Sequence, residues 1–140
     1  MIDRDFLEIK YKIKELAQMI DKSMNNYKRD SFENKKIYSL LEVLQEDLDR
    51  ATCDMAYYSK TATESKLRKR SDCRYETSDE AVCYTSGTRI EALVYDEYEG
   101  KEVWHQGIVE YKHSKGEYYF QSNGVDDVPL HTGMYVRYRS

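Results

Sequence analysis

The side chains able to do chemistry are few and scattered. Three cysteines, Cys53, Cys73 and Cys83, and three histidines, His105, His113 and His131, are the candidates for metal binding or nucleophilic attack. Protein metal sites draw ligands from close local pairs, such as two cysteines separated by two residues. No two of these cysteines are so spaced. No histidine stands at helical or strand spacing from a cysteine or another histidine. Reduced, partly buried thiols and exposed or edge imidazoles are therefore expected, with neither metal nor cofactor. Asp126-Asp127 is a carboxylate pair in a loop, and neighbours in a turn seldom converge on one substrate. Asp96, Glu97, Glu99 and Glu102 form an acidic run without the ligand spacing of a calcium loop, which suits a solubilising or edge-protecting loop. Neither a nucleophile elbow, nor a Ser-His-Asp order, nor a phosphate loop is present. No catalytic residue is assigned, and the chain is expected not to be an enzyme.

Binding surfaces are better represented. Trp104, Tyr111, Tyr119 and Tyr135, with Arg137 and Arg139, are the candidate partner surface. Aromatic rings on the outer side of a small sheet either pack or line a recognition surface. Lys66, Arg68, Lys69 and Arg70 form a basic cluster. Cations in the last turn of a helix complement its dipole, and that is the role expected of them. With Arg137 and Arg139 they offer an alternative, a basic strip for nucleic acid. Charge distribution disfavours it. Residues 1–71 carry 15 Lys/Arg against 13 Asp/Glu, for +2, whereas residues 72–140 carry 7 against 13, for −6. An acidic half repels phosphate.

These residues must be placed by two different kinds of element. Every glycine lies between Gly87 and Gly133, and Pro129 is the only proline. The preceding stretch, free of both, supports long helices. Phe6, Ile9, Ile13, Leu16 and Ile20 are spaced 3, 4, 3 and 4, which puts them on one helical stripe. Asp3 is a suitable N-cap, and the helix is expected to run from Arg4 to Asn26. After the break at Asn25-Asn26, Asp30 and Glu33 have capping-box spacing. Ile37, Leu41, Leu44, Leu48, Ala51, Met55 and Tyr58 then repeat at 4, 3, 4, 3, 4 and 3, a coiled-coil-like heptad stripe. A short connection makes two such helices antiparallel neighbours. Two helices cannot cover their own stripes, so either the β-half or a second copy must pack on them, and Ile13, Leu16, Ile20, Ile37, Leu41, Leu44 and Leu48 are the expected pairing surface of a homodimer. Leu40 and Val43 widen the apolar face. The second helix is expected to fray between Ser59 and Ser65, with a boundary near Ser71 separating a helical hairpin (1–71) from a β-domain (72–140).

Short runs bounded by turns fill the second half. Strands are expected at Arg74–Thr77, Ala81–Tyr84, Arg89–Tyr95, Val103–Tyr111, Glu117–Gln121 and Met134–Arg139, with Asn123-Gly124 a tight turn. Most of the fourteen tyrosines lie from Tyr75 onward, where they suit strands. Five or six such strands in so few residues favour a small barrel over a sandwich.

Trp104, Gly107, Ile108 and Val109, then Tyr118-Tyr119-Phe120, Pro129-Leu130, and Gly133-Met134 with Val136 and Arg137 resemble the pattern of SH3-like and Tudor-like small barrels. With Arg74-Tyr75-Glu76, Gly87 and Ile90-Glu91, residues 72–140 also resemble an uncharacterised small β-domain family of low-GC Gram-positive bacteria and their mobile elements. The resemblance implies an SH3-like fold and brings no catalytic residues. Fold class is thus expected to be α+β, a helical hairpin followed by an SH3-like antiparallel β-barrel. The expected function is non-enzymatic protein–protein contact, as an accessory protein of a bacterium or mobile element. No apolar run reaches the roughly 18 residues that span a bilayer, so no membrane contact is expected and the cytoplasm follows by default.

Overall fold

A computed structural model describes residues 4–140 as two helices followed by a curled antiparallel sheet. The expected N-cap Asp3 lies outside the described residues. The helices are α1 (Arg4–Asn25) and α2 (Phe32–Ser59). The strands are β1 (Ala62–Lys69), β2 (Tyr75–Thr77), β3 (Cys83–Tyr84), β4 (Arg89–Asp96), β5 (Lys101–Lys112), β6 (Glu117–Gln121), β7 (Val128–Pro129) and β8 (Tyr135–Arg139). The chain divides into two compact units, Met1–Lys60 and Thr61–Ser140.

In the helical unit, Ser31 and not Asp30 caps α2. Ser31 is extended, with φ −127° and ψ 165°, and its Oγ accepts from the Asn34 N–H at 3.1 Å. Asp30 instead accepts from the Asn34 side chain at 2.9 Å. The connection after α1 is held by aromatic contacts, with the Tyr27 and Tyr38 rings 6.0 Å apart and the Arg29 guanidinium 4.4 Å from the Tyr38 ring centre. Further along, the Gln45 amide donates to Asp21 at 3.5 Å, tying the two helices. Of the pairing stripe, Ile20 is buried, and Ile13, Leu41 and Leu48 are half-buried. Leu16, Ile37 and Leu44 remain exposed, beside Ile9, Met19, Leu40 and Val43.

The sheet begins earlier than the sequence suggests. Residues 62–69, expected as a fraying helix end, form β1 and pair with β8 from Ala62↔Arg139 to Lys66↔Tyr135. Thr63, Ser65 and Leu67 alternate inward, and threonine favours strand over helix. The basic cluster therefore lies in and just after a strand, and does not complete a helical turn.

Strand order is β3-β2-β1-β8-β4-β5-β6-β7, antiparallel throughout. The core fills the concave side with Leu67, Tyr84, Ile90, Ala92, Val94, Val109, Phe120, Leu130, Met134 and Val136. Gly107 lets β5 bend over this core. A Cβ there would stand 2.2 Å from the Gln121 carbonyl oxygen and 2.9 Å from the Phe120 ring. Only glycine fits such an approach. Pro129, which cannot donate to a ladder, sits on the edge strand β7.

Candidate functional site

Strand alternation puts Ile90, Ala92 and Val94 of β4 in the core and turns Glu91, Leu93 and Tyr95 to the opposite face. Pairing sets their neighbours on that outer face. Glu91 lies between Arg137 of β8 and Gln106 of β5, and Leu93 lies opposite Trp104. Glu91 is nonetheless only 2% exposed. Arg137 Nε donates to its Oε1 at 2.9 Å, and Arg139 reaches both carboxylate oxygens at 2.8 and 3.0 Å. The Arg137 guanidinium carbon also stands 4.6 Å from the centre of the Trp104 ring system. A carboxylate loses hydration on burial, and two forked cations with matched hydrogen bonds offset that loss. The cluster is a structural clamp across three strands. It presents neither a nucleophile nor an acid–base pair.

Trp104, Arg137 and Arg139 thus come together. The other three candidates of the partner surface do not join them. Tyr135, 48% exposed, neighbours Lys66, whose Nζ is 5.1 Å from its ring centre. Tyr119 is buried, with its hydroxyl on Glu117 and its ring beneath Lys112 and Lys115. Tyr111 packs on Tyr118 and His113. In the basic cluster, Arg68 is engaged by Glu80 and then Glu76, which raise its pKa, and Arg70 donates to Cys83 and pairs with Asp72. Lys66 and Lys69 are exposed.

A second feature lies where the β4–β5 turn faces the β6–β8 connection. It is a cleft of about 670 Å³. It is lined by Val94, Val128 and Met134 together with Tyr95, Tyr98, Glu97, Glu102, Asp126 and His131. Asp96 braces the turn that carries Glu97 and Tyr98. It accepts from the N–H groups of Tyr98 and Glu99 at 2.9 and 3.2 Å and contacts His105 Nε2 at 3.0 Å. Burial pushes the Asp96 pKa up, but the Glu99 and Tyr98 amides with His105 outweigh it and hold the carboxyl below its ordinary value. Asp127, adjacent to Asp126, turns away and binds Lys112 at 2.7 Å, so the carboxylate pair is split between two surfaces. The cleft is absent from the sequence expectations. Its acidic members stood out as two separate loops, and nothing in their spacing shows that they meet.

Among the described residues, no group of three His, Cys, Asp or Glu side chains is arranged to hold a metal. Cys53 and Cys73 are exposed and Cys83 half-buried, all as free thiols. No described helix is long and apolar enough to cross a membrane. No family model, curated protein or solved structure matches the chain.

Proposed function

We propose that this chain is a non-enzymatic protein-interaction module whose helical unit pairs with a second copy of itself. The two helices are taken as an antiparallel hairpin and the sheet as a small SH3-like barrel. An accessory role in a bacterium or mobile element follows from the sequence resemblance. The observation that carries the pairing is the distribution of exposed apolar side chains. On α1, Ile9, Leu16 and Met19 flank the half-buried stripe on one side, and on α2 the flanking residues are Ile37, Leu40, Val43 and Leu44. In an antiparallel hairpin these two flanks fall on the same side and make one apolar face. The 22 residues of α1 and 28 of α2 are about 33 Å and about 42 Å long, and these exposed apolar side chains occupy residues 9–19 of the first and 37–44 of the second.

Charge favours a second copy as the occupant. Helix α1 carries five basic and four acidic residues, and α2 carries three and six. A two-fold arrangement with each α1 on the other copy's α2 opposes unlike charge and buries the same patch twice. Such a four-helix bundle covers the exposed stripe residues Leu16, Ile37 and Leu44. Light scattering on eluted protein should give twice the 16.7 kDa chain mass, and a mass of one chain would overturn the pairing. The nucleic-acid alternative gains no support, because Arg68, Arg70, Arg137 and Arg139 already hold carboxylates.

A further inference from the structure

The cleft beside the β4–β5 turn combines three properties of a binding site. Its volume, about 670 Å³, falls within the ~300–1,000 Å³ of binding sites. Part of its lining is apolar, with the half-buried Val125 and Val128 beside the core residues Val94 and Met134. Its rim is anionic, with Glu97, Glu102 and Asp126 exposed and only His131 of the lining residues able to carry positive charge. In addition, the lining residue Tyr98 is 94% exposed. Large rings left in water next to carboxylates are suited to stacking a cation.

We propose that this cleft docks an extended segment bearing lysine or arginine side chains. This rests on the proposed interaction role of the chain and names the chemistry of a partner for its β unit. Lysine and arginine have aliphatic stems and charged heads. The apolar part of the lining takes the stem or an adjoining apolar side chain, and the rim carboxylates take the head. Tyr98 covers the guanidinium or ammonium face. Phosphate-bearing ligands are repelled by the same rim. The Asp96 carboxylate accepts from the Tyr98 and Glu99 N–H groups and so fixes the backbone of the turn that presents Glu97 and Tyr98.

The test titrates the isotope-labelled full chain with a capped peptide alternating arginine and leucine, and in parallel with one alternating glutamate and leucine. Saturable amide shifts are expected for the arginine peptide, confined to the Tyr95–Tyr98 turn, the Asp126–Val128 stretch and His131. The combined variant Glu97→Gln, Glu102→Gln and Asp126→Asn should weaken binding at least about tenfold, as loss of several close charge contacts would. The Tyr98→Ala variant should weaken it too, with every carboxylate intact. The exposed positions of these substitutions leave the amide spectrum otherwise folded. Absence of saturable shifts would overturn the proposal, as would equal binding of the glutamate peptide or unchanged affinity in the combined variant. The oligomeric mass, measured on the same samples, reports separately on the helical pairing.

Discussion

The guanidinium of Arg137 lies over the Trp104 ring system, 4.6 Å from its centre, while its Nε donates to Glu91 at 2.9 Å. Three adjacent strands meet at this point, β8 through the arginine, β5 through the tryptophan and β4 through the carboxylate. The contact explains how a glutamate sits on the outer face of a sheet yet is hidden from water. It also joins this tryptophan, with the arginine beside it, to the neighbouring strands.

Glu91→Gln should therefore be among the more damaging substitutions in the β unit. It leaves Arg137 and Arg139 facing a neutral amide at a buried position, and breaking a buried pair typically costs about 3–5 kcal/mol. Trp104→Ala removes the stacking and the cover it provides, and large aromatic truncations cost about 3–5 kcal/mol when fully buried. Trp104 is half-buried, so a smaller loss is expected there. Urea unfolding of both variants measures the difference. Equal stability of Glu91→Gln and the parent chain would show that the clamp contributes nothing.

Gly107→Ala should be worse than an ordinary surface change at a strand. Its Cβ would meet backbone at 2.2 Å, and the Gln121 carbonyl cannot rotate aside as a side chain can. Overpacking of this kind costs about 1–3 kcal/mol, and displacing β6 from β5 would raise that. Thermal unfolding should show a clearly lowered midpoint. Ile108→Ala, one residue on and 40% exposed, serves as the mild comparison.

Stability should fall on acidification along a defined path. Thr77, Tyr138 and the Ala81 N–H hold Asp79 below its ordinary pKa, Lys112 does so for Asp127, and backbone amides with His105 do so for Asp96. A carboxyl with a depressed folded value binds its proton more tightly in the unfolded chain. Its contribution is thus present above about pH 4 and is lost as pH falls through the folded value. Tyr138 is the opposite case, because its hydrogen bond to Asp79 raises its pKa. The stability it adds is present below about pH 10 and declines as pH rises further. Asp79→Asn should flatten both limbs of the stability profile at once. Chemical unfolding across the pH range, variant against parent, checks this.

The two helices were legible because Gly and Pro are missing from the first half and apolar residues recur at helical spacing. Most strands were legible from alternation and turn residues. The β1 strand was not, since its inward positions include the polar Thr63 and Ser65 and leave Leu67 as the single apolar mark. The cap of α2 was displaced by one residue because Asp30 and Ser31 are both good caps, and backbone conformation decides between them. Among the candidate surface residues, Trp104, Arg137 and Arg139 do converge. Tyr119 was expected outward and is outward, but lysine side chains fold over its ring and bury it, which no periodicity reveals. The acidic cleft depends on two loops about 30 residues apart in sequence meeting across the sheet end, a long-range relation that local pattern does not carry.

Sedimentation equilibrium on the full chain, with and without Leu40→Glu and Leu44→Glu, addresses the helical pairing most directly. At roughly 100 µM, well above a micromolar Kd, the parent should behave as a species of twice 16.7 kDa. The doubly substituted chain should be monomeric and still helical, because both leucines are exposed within one chain. A parent chain that sediments as a monomer at that concentration, or a variant that remains fully dimeric, would contradict the account.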